Sequence, residues 1–71
     1  KMYTVFKINL DGNLSCKEHL NNFDEVNTWL YEVAYYQHAN VKIINDQTKN
    51  FRDYTLVDDD WLIFNRGSGA K

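Results

Sequence analysis

One stretch limits what this chain can become. From Asn22 to Asn40 (NFDEVNTWLYEVAYYQHAN) apolar residues recur at helical spacing, and no other segment holds that period for as long. At roughly 100° per residue, Phe23, Val26, Trp29, Leu30, Val33, Ala34 and Tyr36 fall on one broad face, the expected core face. The ends are marked as well. Asn22 suits an N-cap, Glu25 stands three residues on to complete a capping box, and Asp24 with Glu25 places negative charge where the helix dipole favours it. At the far end His38 can face the last carbonyls, and Asn40 is the expected left-handed stop. A single helix must bury its apolar face on something else, and the flanking segments read as strands.

Met2 to Leu10 alternates, with Met2, Thr4, Phe6, Ile8 and Leu10 on one side and Tyr3, Val5, Lys7 and Asn9 on the other. Asp11-Gly12 supplies a tight hairpin turn. Asn13 to Leu20 is the return strand, with Leu14, Cys16 and Leu20 inward and Glu18 at an inward position near an edge or a wet rim. After the helix come Val41–Asn45, a polar loop over Asp46–Asn50, and Phe51–Val57. Asp58-Asp59-Asp60 turns the chain into Trp61–Asn65, whose unbroken apolar run predicts burial on both faces and a central place in the sheet.

The fold expected is therefore a two-layer α+β domain, ββαβββ, with one helix across an antiparallel or mixed sheet of four or five strands. Residues 1–65 form the compact domain, and 66–71 (RGSGAK) form a flexible tail. The expected strand order sets the first and last strands side by side in the middle. That layout resembles the β-grasp fold, and particularly the small immunoglobulin-binding domains of bacterial surface proteins, whose second-hairpin turn the run Asn45-Asp46-Gln47-Thr48-Lys49-Asn50-Phe51 is similar to. Trp61 to Phe64 departs from that pattern, and the resemblance implies the layout but no binding residues. Ubiquitin-like modifiers share the fold and end in Gly-Gly, which Gly67-Ser68-Gly69-Ala70-Lys71 does not.

With 71 residues and one Cys, this is a single small domain without an intramolecular disulfide framework, so apolar packing must hold it. Eleven aromatics, counted as four Phe, five Tyr and two Trp, make that feasible. The net charge of −2 and the absence of a basic block argue against a nucleic-acid or anionic-membrane partner. No apolar run is long enough to span a bilayer and no secretory pattern opens the chain, so a soluble, cytoplasmic protein is expected. Lys1 ahead of Met2 suggests an added residue and a native start at Met2. Nine Asn, six Lys and five Tyr fit an A/T-rich genome, such as that of a phage or a low-GC bacterium.

Catalytic groups are scarce. Cys16 and His19, three apart on a strand, point to opposite faces and cannot act together, so Cys16 reads as a small core residue. One Cys and two His do not make a zinc site. Asp58, Asp59 and Asp60 lack the Asp-x-Asp-x-Asp-Gly pattern of a calcium loop and read as a solvated turn. No catalytic residue, cofactor or metal site is expected.

The helix side away from the core carries Asp24, Thr28 and Glu32, and also Tyr31 and Tyr35. These two rings, four residues apart, lie one above the other where Lys, Glu or Ala would serve a plain surface better. Tyr31 and Tyr35, with Thr28 and Glu32 as a polar surround, are the candidate partner-binding residues, since interface patches combine an aromatic centre with a polar rim. The function expected is a non-enzymatic protein-interaction module that binds and modulates a larger host protein, with self-association as a further option. The alternative is a nucleic-acid-associated protein stacking bases on Tyr3 or Tyr54 of an exposed sheet face, for which Lys7, Lys17, Lys42, Arg52 and Arg66 would have to gather there.

Overall fold

Asp11-Gly12 does what its composition promises. Gly12 takes φ 88°, a left-handed value that glycine adopts without steric cost. Its N–H donates to the Asn9 carbonyl at 2.9 Å, and the Asn13 N–H donates to Asp11 Oδ1 at 2.9 Å. The structure, a computed structural model, describes residues 1–69. Its elements are β1 (Tyr3–Ile8), β2 (Leu14–Leu20), α1 (Phe23–Trp29), a π-helical turn (Leu30–Ala34), α2 (Tyr35–Gln37), β3 (Asn40–Asn45), β4 (Asn50–Val57) and β5 (Asp60–Ser68). The expected α+β class holds: one helical segment packs on a five-stranded sheet in the order β2-β1-β3-β4-β5, with every neighbouring pair antiparallel.

The strand order differs from expectation. β1 lies beside β3, not beside the last strand, so the paired first and last strands of the β-grasp layout are absent. β5 is an edge strand rather than a central one. It also runs on through Arg66, Gly67 and Ser68, which pair with Arg52, Phe51 and Asn50, so the loss of apolar pattern at Arg66 does not end the strand. The Gly69 N–H then donates to the Lys49 carbonyl at 2.7 Å. The rest of the expected tail, Ala70 and Lys71, lies outside the described residues.

Which face of the sheet meets the helix follows from register. Val5 is directly opposite Ile43, and Val41 is directly opposite Tyr54, so these four share one side. With Val26, Trp29, Leu30 and Ala34 of the helix they form the core, and Tyr3, Leu20 and Trp61 pack around it half-buried. Val5, Val26 and Val41 are the most completely enclosed. Their burial, rather than propensity, makes so short a helix stable.

Among the described residues no second layer covers the opposite face, yet two polar side chains there are buried. The Thr4 hydroxyl donates to Asp46 Oδ1 at 2.6 Å and lies 3.1 Å from His19 Nδ1. A hydroxyl has one proton to give, so with Asp46 ionised the His19 ring must donate from Nδ1. Asp53, the other, holds Lys42 at 2.8 Å and accepts from Asn65 Nδ2 at 3.0 Å. Lys42 Nζ also sits 3.9 Å above the centre of the Phe51 ring. That ring occupies the space a side chain on Gly67 would need, since a Cβ there would meet it at 2.6 Å.

Two bulges break the strands' alternation. Between the pairs Val5–Glu18 and Lys7–Ser15, β2 carries one residue more than β1, and Cys16 takes φ 55°. Cys16 is therefore exposed, not the core residue that strict alternation gives, and Leu14 is exposed with it. In β5, Phe64 is the extra residue between the pairs Tyr54–Ile63 and Asp53–Asn65.

The helix begins as expected and then departs from ideal geometry. Asn22 Oδ1 accepts from the Glu25 N–H at 2.9 Å, while the Glu25 carboxylate reaches back to the Asn21 N–H at 2.8 Å, one residue earlier than a standard capping box. At the π turn the Tyr35 N–H donates to the Leu30 carbonyl, five residues back rather than four. Such a turn carries one extra residue, which sets everything after it back by roughly 100°. Tyr36, expected in the core, is thereby 72 % exposed, and Val33 is exposed too. Phe23 also leaves the core: it lies across the edge of Tyr3 with ring centres 5.9 Å apart. The left-handed stop falls on His38, at φ 51°, and not on Asn40, which opens β3.

Candidate functional site

The π turn decides where the predicted tyrosines go. Tyr31, before its effect accumulates, stays exposed. Tyr35 is swung round toward the sheet, half-buried, and its hydroxyl donates to Asp59 Oδ1 at 2.9 Å. That hydrogen bond to Asp59, and then the repulsion between its negative charge and a phenolate, raise the Tyr35 pKa above the ordinary 10.0. Tyr36 packs edge-on against Tyr35, with centres 5.1 Å apart. Thr28 and Glu32 are exposed but line a shallow depression between the helix and β2, with Glu18, Leu20 and Trp29. The four predicted residues therefore do not form one patch. Tyr35 reaches the β4–β5 turn, Tyr31 is exposed, and Thr28 and Glu32 lie on the side of the helix toward β2.

Asp59 is available because of the turn it sits in. Val57 pairs with Asp60, leaving Asp58 and Asp59 as a two-residue connection with φ 50° and 69°. Both positive values define the mirror-image turn that suits the twist of a hairpin, and Asp tolerates it better than most residues. The carboxylates of this run thus serve a turn and one tyrosine. Among the described residues, no group of three or more His, Cys, Asp or Glu converges as a metal site.

From that turn the chain enters β5, and here the sheet presents what the sequence did not reveal. Leu62, Ile63 and Phe64 are consecutive and 50 %, 37 % and 51 % exposed. Val57, just before the turn, is exposed as well. Trp61 tucks its ring toward the core, but its indole N–H is buried without a hydrogen-bond partner. One side of β5 pairs with β4 and the other pairs with nothing among the described residues. Trp61-Leu62-Ile63-Phe64 carries no charge, whereas natural edges are normally blunted by charge, bulge or cover.

The other edge shows the contrast. β2 carries Lys17, Glu18 and His19 in succession, all exposed, beside the Cys16 bulge. That edge is protected against strand addition in two ways. β5 has a bulge at Phe64 but no charge between Asp60 and Arg66. Through its bond to Asp59, Tyr35 reaches the turn that leads into this uncharged edge.

Of the residues of the alternative reading, Tyr3, Tyr54, Arg52 and Arg66 fall on the helix side of the sheet, and Lys42 does not join them. Tyr54 is buried and Tyr3 packs against Phe23, both on the side the helix covers. Lys42 is held on the opposite face by Asp53, away from Arg52 and Arg66. No helix among the described residues is long and apolar enough to cross a membrane. No family model, curated protein or solved structure matches the chain significantly.

Proposed function

We propose that the chain is a small, non-enzymatic protein-interaction module that accepts an extended segment of a partner protein along β5. The observation that carries this reading is the exposed, uncharged Leu62-Ile63-Phe64 run on an edge that no strand among the described residues pairs with. An added strand would satisfy the edge's backbone groups and cover the side chains at once, which is how sheet-edge recognition gains both affinity and specificity. Tyr31 and Tyr36 would flank the incoming segment, with Thr28 and Glu32 further round the helix.

A foreign strand suits this edge better than a second copy. Two-fold antiparallel self-pairing centred on the exposed run would bring both Phe64 bulges next to the axis and break the ladder on both sides. A straight segment from another protein meets one bulge only. Given the chain's Asn- and Lys-rich composition, a phage or low-GC bacterial protein that modulates a host protein remains the setting proposed.

The test pairs capture with mapping. A Leu62→Lys, Phe64→Lys chain should stay folded, because both side chains are solvent-facing and such changes usually shift stability by less than about 1 kcal/mol. A protein captured from lysate by the wild type should bind this variant at least about tenfold more weakly. In the purified complex, amide exchange should slow at residues 60–65. Equal binding of both chains, or protection confined to other segments, would sink the reading.

A further inference from the structure

On the helix side of the β4–β5 ladder, Arg52 and Arg66 are directly opposite each other. Like charges in that position repel. Among the described residues the one ion pair is Lys42–Asp53, so neither guanidinium has a carboxylate partner. This is notable in a chain with ten acidic residues and a net charge of −2. Next to Arg52 opens a groove of about 390 Å³, within the size range of small-ligand sites. Tyr3, Phe23 and Tyr54 give it aromatic walls, and Asn45 and Asn50 add polar groups. Phe23, away from the core, forms one wall of the groove. Asn45 Oδ1 already accepts from the Gln47 and Thr48 amides, at 2.9 and 3.1 Å, which leaves its NH₂ to donate to something else.

We propose that the Arg52–Arg66 pair and this groove form a binding site for a small organic anion, a phosphate or carboxylate joined to an aromatic group. Two planar guanidiniums suit the oxygens of such an anion, each presenting a fork of N–H donors. The anion would also remove the repulsion between them. Its ring would enter the groove beside Tyr3, Phe23 and Tyr54, where edge-to-face contact is available, and the Asn45 amide would meet a polar substituent. Free aryl phosphates and aromatic acids share this chemistry with the side chain of a phosphorylated tyrosine. The site shares β5 with the partner edge but draws on Arg66, beyond the Leu62-Ile63-Phe64 run.

NMR titration of the whole chain tests it, with phenyl phosphate, benzoate, inorganic phosphate and phosphotyrosine amide as probes. Phenyl phosphate should saturate with a dissociation constant below about 1 mM and bind at least about tenfold more tightly than inorganic phosphate, with shifts at Asn45, Arg52 and Tyr54. A benzoate affinity close to that of phenyl phosphate would assign the site to aromatic acids generally. Phosphotyrosine amide binding tenfold tighter than both would assign it to a modified side chain. Arg52→Gln and Arg66→Gln, at exposed positions, should each weaken phenyl phosphate by about tenfold while leaving the unliganded spectrum folded. A Leu62→Gln, Phe64→Gln chain, which adds no charge near Arg66, should bind it unchanged, which separates this site from the partner-strand proposal. No saturation by about 10 mM, or equal affinity in the two arginine variants, would overturn the inference.

Discussion

Removing Glu32 outright should leave this protein folded and nearly as stable as before. A deletion in mid-helix ordinarily turns every later residue by roughly 100° and takes its core contacts away. Here the segment 30–34 already holds one residue too many, as the Tyr35-to-Leu30 hydrogen bond shows. With Glu32 deleted, a regular α-helix would still bring Val26, Leu30 and Ala34 to the core side, and the exposed carboxylate lost makes no core contact. The expected change is within about 1 kcal/mol, the range usual for exposed positions. If the segment were an ordinary α-helix, the same deletion would drive a larger side chain into the place of Ala34, which is 2 % exposed, and overpacking of that kind costs about 1–3 kcal/mol before any other contact is lost. Urea denaturation separates the outcomes, because a chain of this size has a slope near 1 kcal/mol per molar, so a 2 kcal/mol loss moves the midpoint by about 2 M. A midpoint lowered that far would refute the inserted-residue account of the π turn.

Two further outcomes follow from the packing and the charges. Trp29→Ala should destabilise the fold by about 3 kcal/mol in the same urea assay, since Trp29 is 6 % exposed under the helix, and a loss below about 1 kcal/mol would contradict that placement. Tyr35 has a folded pKa above its unfolded 10.0, so its bond to Asp59 contributes stability below pH 10 that is lost as pH rises through the raised value. Tyr35→Phe should therefore flatten the alkaline fall in stability above about pH 10, and identical profiles for the two chains would exclude this coupling.

Local chemistry was legible where a residue type has one use. Gly12 at positive φ and Asn22 accepting from Glu25 are both written in the sequence, because few other residues serve a tight turn or an N-cap. The π turn was not legible. Leu30-Tyr31-Glu32-Val33-Ala34 is ordinary helical composition, and what selects the insertion is the fit of the residues on either side, Ala34 against the sheet and Tyr35 against Asp59. Cys16 was misplaced because a bulge on a non-glycine residue leaves no mark in the alternation around it. The candidate site was half visible. Tyr31 and Tyr35 stood out as aromatics off the core face, but Leu62, Ile63 and Phe64 looked buried, since an unbroken apolar run is also what a central strand needs. Only the pairing of β3 with β1, decided between residues far apart in the chain, pushes β5 to the edge.

That pairing also sets the order in which the molecule can assemble. β1–β2, β3–β4 and β4–β5 are each closed by a short connection, whereas β1–β3 joins Ile8 to Asn40, 32 residues on, against six from Ile8 to Leu14. By loop-closure entropy alone that contact costs about 1.5 kcal/mol more to make than the first hairpin. The chain is thus two local meanders joined at one seam, and the helix that lies across the seam is the connection between them. During synthesis, β1 has one side open until residue 45 has been made, and the apolar groups meant for Ile43 and Val41 wait unpaired. Val5, Val26 and Val41 can be enclosed together only once that joint has formed.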